Sequence, residues 1–75
     1  MIQENELIEL GFTRHDTEDG FTFYQKKLTS RDWLTADKTK DGDYIVTGDF
    51  EGYITEASDL KQLIEIFNRA NNDKN

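Results

Sequence analysis

The sequence predicts an α+β two-layer fold, with a short helix first, an amphipathic helix last and an antiparallel sheet of three to five strands between them (α-β-β-β-β-α). Three observations predict it. Apolar and polar residues alternate through the middle of the chain, Asp19-Gly20 and the loop around Asp41-Gly42 mark reversals between the alternating stretches, and Leu60, Leu63, Ile64 and Phe67 recur at helical spacing near the end. Two helices on one side of one sheet make the two layers.

The first helix is expected from about Gln3 to Leu10. Leu7, Ile8 and Leu10 lie on one side, Glu4 and Glu6 sit near its positive end, and Gly11 suits a left-handed C-terminal cap. A helix this short is below the roughly 12 residues at which isolated helices become marginal, so packing must hold it. The segment from Phe12 to Asp16, the turn Thr17-Glu18-Asp19-Gly20 and the segment from Phe21 to Leu28 read as a hairpin. A third strand from Asp32 to Asp37 and a fourth from Tyr44 to Thr47, joined by the loop from Lys38 to Asp43, read as a second hairpin. Gly48 to Gly52 is a break or bulge containing Phe50, and Tyr53-Ile54-Thr55 is a short fifth strand or the run-in to the last helix. Ser58 is the expected N-cap of that helix, which runs to about Ala70. Residues 1 to 75 are expected to form one domain, with the first two or three residues and 71–75 as loose ends.

Large side chains fall on both faces of the sheet. If the helices cover Phe21, Phe23, Leu34 and Ile45, the open face carries Tyr24, Leu28, Trp33 and Tyr44; register decides between the two sets, which exchange roles if it slips by one. An open aromatic face suits a partner or a homodimer contact, because Tyr and Trp often anchor interfaces. The same rings also pack under loops in monomers.

Composition narrows the function classes. With 75 residues the chain buries roughly 60% of its unfolded surface, enough for one modest core and too little for a large catalytic cleft. It has no Cys and one His, which removes disulfides, thiol nucleophiles, Cys-ligated metals and a multi-histidine site within one chain. Sixteen Asp plus Glu against nine Lys plus Arg give a net charge of −7, the wrong sign for direct binding to nucleic acid or anionic membranes. No apolar run approaches the roughly 18 residues of a membrane span, and the acidic start Met-Ile-Gln-Glu-Asn-Glu is unlike a signal peptide, so a cytoplasmic protein is expected. The charge suits docking on a basic surface of another protein, such as a nucleic-acid groove, although it serves solubility as well.

Asp37, Asp41, Asp43, Asp49, Glu51, Glu56 and Asp59 crowd the second half, interrupted only by Lys38 and Lys40. Such a row can imitate a phosphate backbone; carboxylates are equally suited to turns. Asp37 to Gly48 superficially resembles an EF-hand calcium loop, but its twelfth place is Gly48 and its ninth Ile45, and strands flank it. No metal or cofactor is expected. His15, beside Arg14 and Asp16, has no nucleophile motif to serve, and the Glu6/Glu9 and Asp49/Glu51 pairs have no groove between them, so no catalysis is expected.

The pattern Glu6-Leu7-Ile8-Glu9-Leu10-Gly11-Phe12, Phe21-Thr22-Phe23-Tyr24 and Tyr53-Ile54-Thr55 running into Leu60-Lys61-Gln62-Leu63-Ile64 resembles a group of small acidic α+β proteins encoded by phages and mobile elements. The likeness spans most of the chain, rests on core and cap positions and brings no site motif. It implies a viral setting and an inhibitor of host defences, of which anti-CRISPR proteins that block a surface of a nuclease complex are one kind. The combined expectation is a non-catalytic inhibitor that docks on a basic effector. Asp41, Asp43, Asp49 and Glu51 would steer it, and Trp33, Tyr44, Phe50 and Tyr53 would anchor it. The alternative is an assembly module that homodimerises through its open sheet face.

Overall fold

The computed structural model describes residues 1–73. Its elements are α1 (Glu4–Glu9), β1 (Thr13–Asp16), β2 (Thr22–Lys27), β3 (Trp33–Lys38), β4 (Tyr44–Gly48), β5 (Phe50–Ile54) and α2 (Ala57–Asp73). The five strands form one antiparallel meander in the order β1-β2-β3-β4-β5. The loose tail expected over 71–75 falls partly on residues 74 and 75, outside the described residues, and α2 is assigned through Asp73.

Caps define α1. The backbone N–H of Gln3 donates to Glu6 Oε1 at 2.9 Å, so the third helical residue satisfies a group that the helix itself leaves without a partner. At the other end Gly11, with φ +92°, donates to the Ile8 carbonyl, and Phe12 donates to the Leu7 carbonyl. This is the Schellman arrangement, and it brings Leu7 and Phe12, both buried, into the same core. Ile2 forms a β-bridge to Tyr44, and the Met1 ammonium pairs with Glu56 at 2.8 Å, joining the chain start, expected as a loose end, to the approach of α2.

Both helices cover one sheet face. Leu7 of α1 and Leu60 and Ile64 of α2 share a core with Tyr24, Leu34, Ala36, Tyr44 and Val46. Each fully buried Leu contributes about 1.5–3 kcal/mol of transfer free energy. The register places Tyr24 beside Ala36, Ala36 beside Val46 and Val46 beside Ile54, so this face is set across four strands.

This corrects the expected face assignment at several positions. Tyr24 and Tyr44 are core residues with rings 5.5 Å apart and edge to face, and Leu28 packs against the core; Phe23 and Ile45 belong to the open face. Phe21, expected under the helices, is 70% exposed before β2 begins. Burial of Tyr24 is feasible because its hydroxyl donates to Glu4 Oε2 at 2.8 Å. Burial first and that hydrogen bond second push the Tyr24 phenol up to about 12. Leu34 and Trp33 fall on the faces expected of them. Tyr53-Ile54 belongs to a true fifth strand, and a register irregularity between Val46 and Gly48 marks the expected bulge. Helix α2 begins at Ala57, so Ser58 lies inside its first turn, and the Glu56 carbonyl accepts from Leu60 N–H at 3.2 Å.

Candidate functional site

An antiparallel meander sends successive reversals to opposite ends of its sheet. The first reversal, Thr17 to Phe21, and the third, Thr39 to Asp43, therefore share one end; the second, Leu28 to Asp32, and the fourth, at Asp49, share the other. A five-residue strand separates the two ends by roughly 16 Å. Asp41 and Asp43 thus stand apart from Asp49, and the carboxylates do not form one continuous row.

The first end is explained by turn chemistry. Thr17 and Thr39 each donate a backbone N–H to the carbonyl four residues on, at 2.8 Å, and Gly20 and Gly42 donate back to the threonine carbonyls. Thr39 Oγ1 also donates to the Asp43 carboxylate and accepts from Asp41 N–H. Asp43 is thereby a turn-closing residue, and the calcium-like stretch is a hairpin loop. Among the described residues no group of three or more His, Cys, Asp or Glu is placed to hold a metal. Tyr44, expected as a partner anchor, is 3% exposed; its ring is core, so it cannot reach a partner. The hollow at this end, of about 470 Å³, has Glu4 and Asp37 against Arg14 and Lys38 and favours neither sign of charge.

The second end differs in kind. A cleft of about 320 Å³ lies between the second and fourth reversals and α2. Leu28, Leu34, Leu63 and Phe67 supply apolar wall, Trp33 and Phe50 supply aromatic wall, and Asp32 and Asp49 are its titratable residues. Trp33 is 48% and Phe50 39% exposed. Gly48 positions Phe50, because a Cβ there would stand 2.7 Å from the Phe50 ring and 3.1 Å from Leu34 Cδ2. Thr29 fixes Asp32: its hydroxyl donates to Asp32 Oδ2 at 2.8 Å and accepts the Asp32 backbone N–H at 3.0 Å. The Asp49 pKa is raised above the ordinary carboxylate value, by interaction with the Asp32 carboxyl first and by desolvation and repulsion behind it. The two ion pairs among the described residues, Met1 with Glu56 and Arg14 with Asp16, leave Asp32 and Asp49 without a cationic partner.

Of the eight residues expected at the site, Trp33, Asp49 and Phe50 meet in this cleft. Glu51 and Tyr53 are exposed on the adjoining β5, Tyr53 by 65%. Asp41, Asp43 and Tyr44 lie at the other end. Sequence reasoning missed Asp32 as a site residue and assigned Leu63 and Phe67 to core alone. The signal that finds them is the meander itself, since its even reversals must converge. No family model matches the chain, and no curated protein or solved structure matches it.

Proposed function

We propose that the chain is a non-catalytic binding protein that docks its acidic, aromatic end on a basic surface of a larger protein, in the manner of an inhibitor of a nucleic-acid-handling defence complex. The observation that carries this reading is the cleft at the second end, where Trp33 and Phe50 stand exposed beside Asp32 and Asp49 around an apolar floor. Aromatic anchors beside carboxylates provide desolvated contact and electrostatic steering together. The net charge of −7 adds long-range attraction to any basic face.

The test begins with a tagged chain in cells that carry such complexes, and continues with association rates for the recovered partner at several salt concentrations. Replacing Asp32, Asp49 and Glu51 together by their amides should slow association by about tenfold at low salt and flatten its salt dependence. Equal rates for parent and variant at every salt concentration would remove the acidic docking mechanism.

A second reading, homodimerisation through the open face, is favoured by Phe23, Ile45 and Trp33 standing there without a covering layer. Sedimentation of the free chain at high concentration separates the two readings.

A further inference from the structure

We infer that the cleft between the second and fourth reversals receives one basic side chain, flanked by apolar residues, from the partner protein. This deepens the docking reading above and rests on it. The occupant is defined by what the cleft lacks and what it offers. Asp32 and Asp49 line the same cleft and neither is ion-paired among the described residues, while the rest of the wall is aliphatic or aromatic. An Arg or Lys matches both parts, because its alkyl stem lies along apolar surface while its charged head reaches acceptors. Arg matches best: its planar fork meets two carboxylate oxygens at once and stacks on a ring such as Phe50. An anionic or purely aliphatic occupant would leave the two carboxyl groups to each other.

The probe is a blocked Leu-Arg-Leu tripeptide, with Leu-Glu-Leu as its control, titrated into the full chain. Trp33 is the single Trp, so its fluorescence and its indole N–H resonance report on the cleft wall directly. The Arg peptide should shift the Trp33 indole and the Asp32 and Asp49 amides, and the Glu peptide should not. Asp49→Asn should weaken the Arg peptide by about tenfold. The Asp41→Asn/Asp43→Asn pair, at the far end, should leave it within about twofold, since those charges act through solvent. Arg-peptide shifts that map to the Asp41 end, or affinity unchanged in Asp49→Asn, overturn the cleft assignment while leaving acidic docking standing. No shift with either peptide overturns it as well, and salt-independent association with the recovered partner overturns the docking reading beneath it.

Discussion

Asp49 and Asp16 are both carboxylates on the surface of one small domain, yet their neighbours link them to folding with opposite signs. Interaction with the Asp32 carboxyl raises the Asp49 pKa in the folded chain, so the folded state holds the extra proton in the window above about pH 4, the unfolded value. Its stabilising contribution is complete below that window and is lost as pH rises through the folded pKa. Asp16 is hydrogen-bonded by Thr22 and Arg14, which hold its pKa low; its contribution is present above the unfolded value and is lost as pH falls through the folded one. Asp49→Asn should therefore melt no lower than the parent at pH 7, with any gain shrinking in acid. Asp16→Asn should melt lower at pH 7 and converge on the parent in acid. Melting curves from about pH 3 to pH 8 check both, and an Asp49→Asn chain markedly less stable at neutral pH would show that the pair holds the turns together. The pairing was hidden in the sequence because the two residues meet only once Gly48 is paired with Phe50 and the last two strands are in register.

Among the elements, the reversal at β4–β5 is the one whose geometry depends on a single residue. The Phe50 ring occupies the space where a side chain at position 48 would stand, with Leu34 on the other side. Gly48→Ala forces the ring outward or the strands apart, and crowding of this kind costs about 1–3 kcal/mol. Phe50→Ala gives up only part of a half-exposed ring. The double variant should recover most of the Gly48→Ala loss, giving a coupling of about 1 kcal/mol in denaturant unfolding; additive losses would mean that the ring is not seated over Gly48. The elements most legible in the sequence were those fixed by local chemistry: α1 by Glu6 and Gly11, the first hairpin by Asp19-Gly20, and α2 by its apolar stripe. Sheet faces were not legible at this level. Tyr24 and Phe23 suit a core equally by size, and the choice was made by long-range partners, Glu4 for the Tyr24 hydroxyl and His15 stacked 5.2 Å from Phe23.

At the scale of the molecule, connectivity and charge act in different directions. Connectivity divides the acidic residues between two ends of the sheet, a separation invisible in a list of carboxylates but implied once five strands are read as a meander. Charge does not depend on that division: a chain of net charge −7 with two ion pairs among its described residues repels itself in the folded state more than in the expanded one. Screening should relieve this repulsion, because the Debye length falls from about 30 Å at 0.01 M salt to about 8 Å at 0.15 M. The melting temperature should therefore rise with sodium chloride over that range, and rise less in a variant with Asp41, Asp43, Glu51 and Asp59 replaced by their amides. The same screening bears on the two functional readings. Two copies meeting through their open faces bring together two charges of −7, so self-association should strengthen with salt; docking on a basic partner should weaken. Sedimentation across the same salt series tests the self-association reading: a chain that stays monomeric at high salt removes the contact between copies, whereas a dimer growing with salt would assign Phe23, Ile45 and Trp33 to it.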